Sequence, residues 1–467
     1  MPSARYDTFL RSKMATTATK GLESYTLPSR LFPFQAHVTG WALASGRAAL
    51  FLDTGLGKSA CQLAWAANIA QQAGDVLILA PLAVAQQTVT EGATMDIPVT
   101  LCRTQADWRP GINITNYERL HHFRVTDLAG VVLDESSILK AYDGRTRTQL
   151  IRTFQHTPYR LCCTATPSPN DHVELGNHAE FLGIMSRSEM LATYFVHDGG
   201  KTAEWRLKRH AETPFWRWVA SWAFALTHPR LLGDPTPGYD LPPIERVPHA
   251  VTLDTAHSGL TLFPMEAHGL QEQRQAKRAG LSARIAQAVA TIQTEPHEPW
   301  VVWCELNDEA DAITRLLPGA VQIAGRDTLE DKEQRLIDFC TGAARILVTK
   351  PSIAGWGINL QHCARVCFVG MNNSFESWYQ AIRRCWRFGQ TRAVQVHFFY
   401  LDIETPILRA MARKEADAAR MQTLMTAQVL EQSAYRHRTT PYAPAQPMQI
   451  PDWLAIQAEG ALYAPRD

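Results

Sequence analysis

A glycine-containing run early in the chain carries side chains that could bind a nucleoside triphosphate. The run is Asp53-Thr54-Gly55-Leu56-Gly57-Lys58-Ser59, directly after the apolar residues 48–52. Glycines let the backbone turn tightly, so that its N–H groups and a helix N-terminus can face phosphates. We expect Lys58 to reach the β- and γ-phosphates and Ser59 to ligate Mg²⁺. The loop residues predicted to surround the phosphates are Thr54, Gly55 and Gly57.

This run is an incomplete phosphate-binding pattern. Leu52 stands where the full pattern has its first glycine. A glycine-rich turn beside an exposed lysine is therefore the alternative interpretation of the run taken alone. The interpretation depends on what else the same sheet carries.

Two acidic residues end another apolar run, Val131-Val132-Leu133-Asp134-Glu135. Phosphoryl-transfer ATPases hold Mg²⁺ with a carboxylate at a strand end beside the phosphate loop, so we expect Asp134 in that role. Glu135 is placed to orient or deprotonate the attacking water. A solvated strand terminus is the alternative, but a preceding phosphate loop in the same sheet favours the functional interpretation.

A third short motif, Thr164-Ala165-Thr166-Pro167, ends the next predicted strand. Its hydroxyls could hydrogen-bond Glu135 and couple the nucleotide to nucleic-acid contacts. By itself the motif is also an ordinary helix-capping turn.

Composition excludes several classes of protein. The 467 residues are 46% hydrophobic and 19% charged, which allows two or three packed domains. The net charge of +1 says little about partners, because a nucleic-acid binder can concentrate its basic residues locally. No apolar run reaches membrane-spanning length. The nine cysteines show no zinc spacing and indicate a reduced compartment, so we expect a cytoplasmic protein.

Apolar runs alternate with helical patterns in two blocks, which predicts an α/β fold of two lobes with parallel sheets. Residues 170–230 look helical, and residues 233–248 are rich in proline and lack periodicity. The predicted organisation is an N-terminal segment (1–28), lobe 1 (29–169), a helical insert (170–232), a proline-rich connector (233–280), lobe 2 (281–405) and a C-terminal helix and tail (406–467).

The ordered motifs resemble those of superfamily 2 helicases, whose fold is two RecA-like lobes. The three runs above look like motifs I, II and III, and Trp300–Cys304 resembles motif IV. Residues 346–360 are similar to motif V of the Swi/Snf branch, and residues 380–390 to its motif VI, with two arginines three apart before Gly-Gln. The resemblance spans residues 30–400 and implies ATP and Mg²⁺ as cofactors.

The resemblance also implies roles for further residues. Leu31–Gln35 looks like the element on the adenine side, with Gln35 reading the base. Arg384 and Arg387, on one predicted helix face, would stabilise the transferring phosphoryl group from lobe 2. Lys58 and the acidic pair sit in lobe 1, so hydrolysis would require lobe closure. The cofactor-side residues implied in lobe 2 are Gly355, Gly357 and Gln380.

Motif II departs from the usual family pattern. Ser136-Ser137 stands where the family usually has Ala-His, so one of these serines could contact motif III or motif VI instead. The sequence Asp134-Glu135-Ser136-Ser137 and the compact lobes resemble those of the Swi/Snf-like helicases of bacteriophages and prophages.

Several residues are candidates for contact with nucleic acid, most of them basic. Asn116 and Tyr117 resemble an element of lobe 1 on the nucleic-acid side. Basic and aromatic residues interleave in the segment 205–218, which suits phosphate contact plus stacking. Helical spacing nevertheless favours a place in the core for Phe215, Trp218 and Trp222. The basic candidates are Arg206, Lys208, Arg209 and Lys350.

The sequence predicts a DNA-dependent ATPase motor but leaves its action open. It could separate strands or move along double-stranded DNA; motifs V and VI favour the second. A DNA-binding scaffold with weak turnover is a different possibility, and an RNA helicase is less favoured by the wording of motif VI. We expect a monomer that uses protein partners for loading and does not bind membranes.

Overall fold

The computed structural model describes residues 21–140, 144–169, 171–197, 205–251, 280–354, 359–370, 374–401 and 404–436. Within these ranges the chain forms two α/β lobes, each built on a parallel sheet with helices on both faces. The predicted fold class is confirmed. Gly355 and Gly357 lie outside the described residues.

Lobe 1 contains a seven-stranded sheet in the order β3-β4-β2-β5-β6-β1-β9, with every neighbouring pair parallel. Most of its strands are continuous apolar runs because both faces are covered. The strands are β1 (Arg47–Leu52), β2 (Val76–Ala80), β3 (Val99–Leu101), β4 (Ile112–Asn116), β5 (Gly130–Asp134), β6 (Tyr159–Cys163) and β9 (Ala223–Leu226).

Helices cover the two faces of this sheet separately. Residues alternate along β1, so that Leu50 packs with one helix layer and Phe51 with the other. The first layer is α1 (Pro33–Ser45), α2 (Lys58–Gln72) and α3 (Leu82–Thr94). The second is α4 (Arg145–Thr153), α5 (Leu175–Leu182), α6 (Arg187–Tyr194) and α7 (Glu212–Trp222).

The segment predicted to be a helical insert also contributes strands. β7 (Phe195–His197) and β8 (Trp205–Leu207) form an antiparallel ribbon, and β9 pairs with β1 as an edge of the lobe 1 sheet. The short apolar run of β9 directly follows α7, so no turn residue signals the change. Phe215 and Trp222 are buried, as the core interpretation expects, whereas Trp218 is half-buried and packs against the same core.

Lobe 2 contains a six-stranded parallel sheet in the order β10-β15-β14-β11-β13-β12. Its strands are β10 (Ile244–Val251), β11 (Trp300–Cys304), β12 (Ala320–Gln322), β13 (Ile346–Thr349), β14 (Arg365–Val369) and β15 (Val394–Leu401). Its helices are α8 (Leu281–Thr294), α9 (Asn307–Leu316), α10 (Leu329–Cys340), α11 (Pro351–Ala354) and α12 (Phe375–Ile382).

The proline-rich connector contains a strand that the sequence pattern did not predict. β10 lies at the edge of the sheet and is mostly exposed, which accommodates Pro248 and the polar residues that made the segment look like a linker. The final helix, α13 (Thr405–Arg436), contacts both lobes.

Two further findings concern the cysteines and the lengths of the apolar helices. All nine cysteines are free thiols, and eight of them are buried. Across the described residues, no helix combines the length and the apolar character needed to cross a membrane.

Candidate active site

The loop between β1 and α2, predicted to bind phosphates, turns at two glycines before the helix begins. Gly55 and Gly57 have φ values of +91° and +76°, in the left-handed region that favours glycine. A Cβ at Gly57 would lie 2.2 Å from Nε2 of Gln35. Lys58 begins α2, and its Nζ donates a hydrogen bond to the carbonyl oxygen of Leu52, 3.1 Å away. The buried hydroxyl of Thr54 has no hydrogen-bond partner among the described residues.

The two carboxylates predicted to serve hydrolysis stand at the end of β5, two strands from the phosphate loop. Burial raises the pKa of Asp134, an effect that Lys58 opposes. Burial also raises the pKa of Glu135 to about 7, with Lys58 and Arg384 acting in the opposite direction. Glu135 adopts a φ of +54°, which is uncommon for a non-glycine residue. A carboxylate with this pKa can accept a proton near neutral pH.

The Thr-Ala-Thr turn after β6 contacts Glu135, as expected. Oγ1 of Thr164 donates to Oε2 of Glu135 over 3.3 Å, and the backbone N–H of Thr166 donates to Oγ1 of Thr164 over 3.1 Å. The turn therefore holds the hydroxyl that orients the carboxylate.

The serines after Glu135 are both buried. Oγ of Ser136 shares a hydrogen bond of 3.2 Å with Nε2 of His178, on α5 of the same lobe. Burial lowers the pKa of His178 to about 4, so the ring is neutral. Ser136 thus bonds the lobe 1 interior rather than motif III or motif VI. Contact with lobe 2 is instead made by Lys140, which forms an ion pair with Glu376 on α12.

The two arginines from lobe 2 face lobe 1 but do not lie on a helix. α12 ends at Ile382, and residues 383–389 form successive turns, which corrects the expected helical placement. Arg384 is only 5% exposed, and burial lowers its pKa to about 10 while Glu135 opposes the shift. Burial likewise lowers the pKa of Arg387, and Glu91 on α3 opposes it.

The two glutamines predicted to bind the nucleotide differ in their bonding. Nε2 of Gln35 donates to the carbonyl oxygen of Leu56 over 3.1 Å, and its Oε1 accepts from the backbone N–H of Phe32 over 3.0 Å. Gln380 is buried, and its Oε1 accepts from Arg384 over 3.4 Å, while its Nε2 has no partner within the described part of the protein. Gln35 therefore braces the phosphate loop, and Gln380 has an unused donor.

Three contacting features of the site were missed by sequence reasoning. Asp53 pairs with Arg383 and accepts a hydrogen bond from the hydroxyl of Tyr379, so the phosphate loop is tied to lobe 2. The guanidinium of Arg383 also lies 4.2 Å from the ring centre of Trp386. More than 300 residues separate Asp53 from Tyr379 and Arg383 in the sequence, so no local pattern indicates these contacts.

Glu91 and Phe388 are the other two missed features. Burial raises the pKa of Glu91, while Ser59 and Arg387 lower it, so this carboxyl lies beside both the loop and the arginine segment. The ring of Phe388, from lobe 2, lies 4.6 Å from that of Tyr239 and 6.2 Å from that of Phe32. These aromatic rings close the side of the loop on which Gln35 lies.

The candidate nucleic-acid residues fall into two groups. Asn116 and Tyr117 are buried: Oδ1 of Asn116 accepts from the backbone N–H of Arg119, and the hydroxyl of Tyr117 donates to the carbonyl oxygen of Asp134 over 2.7 Å. Both side chains form hydrogen bonds within lobe 1, and their contact with nucleic acid stays a prediction. The hydrogen bond from Tyr117 holds the backbone carbonyl of Asp134, the first residue of the acidic pair.

The basic candidates lie nearer the surface. Nζ of Lys208 donates to the carbonyl oxygens of Ala192 and Thr193, 3.0 Å from each, so it caps α6. Arg206 and Arg209 are exposed, and Lys350 is half-buried directly after β13. The exposed pair and Lys350 remain candidates.

Ser59 at the start of α2 and Asp134 at the end of β5 are the residues that could hold Mg²⁺ beside a triphosphate. The described residues contain no group of three His, Cys, Asp or Glu side chains that could hold a metal ion. Asp134 and Ser59 could supply two oxygen ligands, and Mg²⁺ commonly completes its shell with phosphate oxygens and water. The unpartnered hydroxyl of Thr54 and the left-handed glycines suit the phosphates themselves.

Fold and site together define a two-lobed α/β protein whose facing surfaces carry complementary ionised groups. Residues 283–389 match the model of the helicase conserved C-terminal domain. This segment runs from α8 to the glycine after Phe388 and contains the arginine pair. No curated protein matches the chain. Among solved structures it is similar to the Sulfolobus solfataricus SWI2/SNF2 ATPase core in complex with dsDNA, at 17% identity and a TM-score of 0.41, covering 89% of this chain and 98% of that chain.

Proposed function

We propose that the protein is an ATP-hydrolysing motor of the Swi/Snf-related branch that acts on double-stranded DNA. The observation that carries the proposal is the burial of Glu135 from lobe 1 and Arg384 from lobe 2 within each other's electrostatic influence. A general base on one lobe and a guanidinium on the other make hydrolysis depend on lobe closure.

The residues of lobe 1 bind the substrate and move the proton. Lys58 and the N-terminus of α2 hold the phosphates, with Thr54, Gly55, Gly57 and Ser59 around them. Mg²⁺, held by Asp134 and Ser59, would neutralise charge on the phosphate oxygens. Glu135 accepts a proton from the attacking water, and its raised pKa suits this task near neutral pH.

The residues of lobe 2 stabilise the charge of the transition state. Arg384 and Arg387 are directed at the γ-phosphoryl group, which is transferred from ATP to water, so that phosphate forms and ADP leaves. Gln380 positions Arg384 through its Oε1. Because the arginines and the carboxylate belong to different lobes, each turnover opens and closes the cleft, and this motion is what moves the DNA.

DNA contact is assigned to basic side chains outside the cleft. Arg206, Arg209 and Lys350 would contact phosphates, which gives affinity without reading sequence. Gly355 and Gly357 complete the proposed site from lobe 2. The proposal includes a monomeric motor in the cytoplasm of a bacterium or phage-infected host, loaded by protein partners.

The deciding experiment measures ATP hydrolysis with duplex DNA, single-stranded DNA, RNA and no nucleic acid. We expect duplex DNA to stimulate the wild-type protein most and Lys58→Ala to be inactive while still binding DNA. Equal rates with and without DNA would contradict the motor and favour a scaffold with weak turnover.

A second assay separates translocation from strand separation. We expect displacement of the third strand from a triplex and no unwinding of a forked duplex. Unwinding of the fork at a comparable rate would identify a helicase in the strict sense.

A further inference from the structure

The last helix, α13, crosses from one lobe to the other. Ile407 and Met411, in its first part, are buried in the hydrophobic core of lobe 2. Met421 and Met425, farther along, are buried in the lobe 1 core beside α7 and β9. A single unbroken helix of 32 residues thus spans the junction, and a helix cannot stretch as a loop can.

Polar contacts fasten the helix on both sides of the junction. Glu415 forms an ion pair with Arg246 on β10 of lobe 2. On the lobe 1 side, Oγ1 of Thr426 donates to the carbonyl oxygen of Ala225 over 3.3 Å. The helix therefore responds to any change in the separation of the lobes.

One side chain of α13 reaches the turn that contacts the catalytic carboxylate. Nε2 of Gln422 donates to the carbonyl oxygen of Ala165 over 3.4 Å. Ala165 lies between Thr166 and Thr164, and Thr164 bonds Glu135. A continuous path of contacts thus runs from the helix to the group that accepts the proton.

The turn has open space beside it. A cavity of about 320 Å³ lies between the lobes beneath α13. Pro167 and Ser168 line it from lobe 1, Ile244 and Phe375 from lobe 2, and Gln422 from the helix. Thr166 also lines the cavity, and its buried hydroxyl has no hydrogen-bond partner in the part of the chain that the structure describes. With so little packed against this side of the turn, the bond from Gln422 restrains its position.

We propose that Gln422 is a positioning residue for hydrolysis: it holds the 164–166 turn, and through it Glu135, in a place set by the separation of the lobes. The inference rests on the proposed ATPase function. Gln422 touches neither substrate nor reacting atoms and acts through Ala165 and Thr164.

The test compares Gln422→Met with Thr423→Ala in the full chain. Methionine keeps the length and helix propensity of glutamine but cannot donate a hydrogen bond. Thr423 is the matched control, because its exposed hydroxyl bonds only within the helix, to the carbonyl oxygen of Ala419. The readouts are kcat, KM for ATP, the pH profile of kcat and the thermal midpoint.

We expect Gln422→Met to lower kcat about three- to tenfold, the effect of one lost hydrogen bond, with KM changed less than twofold. The acidic limb of the profile should move to higher pH, since a weaker bond from Thr164 favours the protonated carboxyl. Gln422→Lys, which restores a donor, should recover most of kcat.

Identical kcat and pH profiles for Gln422→Met and Thr423→Ala, with an active wild type, would overturn the inference alone. A loss of kcat matched by a lower thermal midpoint and unrelieved by lysine would also overturn it, because that pattern indicates general loosening. A wild type without ATPase activity on any nucleic acid would instead remove the proposed function on which the inference depends.

Discussion

The two sides of the candidate site are built differently. On lobe 1, the acidic pair is supported within its own lobe, by Tyr117 below Asp134 and by Thr164 beside Glu135. On lobe 2, the arginines lie in turns after α12, and neighbouring residues of the segment are tied to the opposite lobe. One half is therefore preorganised by its own sheet, and the other depends on the approach of its partner.

This difference predicts which substitutions will lower the catalytic rate and which will lower the stability of the fold. Changes on the arginine side should remove catalysis while leaving the fold intact. Changes beneath the acidic pair should reduce stability before they reduce the rate.

The largest effect is expected for Arg384→Ala. An arginine that stabilises transition-state charge contributes about 10³–10⁵ in kcat in related chemistry. Arg384→Lys should recover little, since a lysine lacks the planar fork of donors. Single-turnover ATP hydrolysis measures the loss, and DNA binding serves as the control. Activity of the alanine variant within tenfold of wild type would contradict the assignment of Arg384.

Glu135→Gln should lower kcat about 10²–10⁴-fold, the usual contribution of a general base. In the wild type, kcat/KM should fall as pH drops through about 7, because the protonated carboxyl cannot accept the proton of water. Full ATPase activity in Glu135→Gln would disprove the role of this residue.

The same substitution should also stabilise the fold. Burial raises the pKa of Glu135 from 4.5 to about 7, so the folded protein loses stability as pH rises through this window. Glutamine removes that cost, and we expect a gain on the order of 1–3 kcal/mol at pH 8 and none near pH 4. Urea unfolding at the two pH values measures it. An equal gain at both would show that ionisation is not the cause.

The pair Asp53 and Arg383 tests whether lobe 2 depends on its partner. Asp53→Asn and Arg383→Met should each lower kcat/KM about tenfold, and the double variant no further, giving a coupling of about 1.4 kcal/mol. Additive losses would mean that the ion pair does not hold the lobes together. Arg392→Met, which removes an exposed pair with Glu298 within lobe 2, is the matched control.

The smallest effect is expected for Tyr117→Phe. It removes one buried hydrogen bond to Asp134 and should lower the free energy of unfolding by about 1 kcal/mol. DNA affinity should not change, because the side chain is buried. A reduced DNA affinity with unchanged stability would identify Tyr117 as a contact residue.

The same contrast explains what the sequence could predict. Runs such as Val76–Ala80 and Gly130–Asp134 are buried along their whole length, and a continuous apolar run of this kind predicts a strand from the sequence alone. The sequence did not predict β9, because its four residues directly follow a helix. It did not predict β10, because this strand lies exposed at the edge of its sheet. Their places depend on tertiary pairing, which local pattern does not encode.

For the site, motif spacing indicated Lys58, Glu135 and the contact from Thr164. It did not indicate the salt bridge of Asp53, because that pair exists only once both lobes have folded. The helical placement of Arg384 failed for a related reason: turns following α12 bring the arginine to lobe 1 where a continued helix was expected.

Gly55 has a second reason to be glycine. A Cβ at this position would lie 3.1 Å from the backbone nitrogen of Phe388, in the opposite lobe. Any larger residue would therefore push the two lobes apart at this contact, in addition to straining the backbone of the loop. The glycine of a phosphate loop is normally attributed to its ligand alone. Here the space it leaves also sets how closely the two lobes can approach each other.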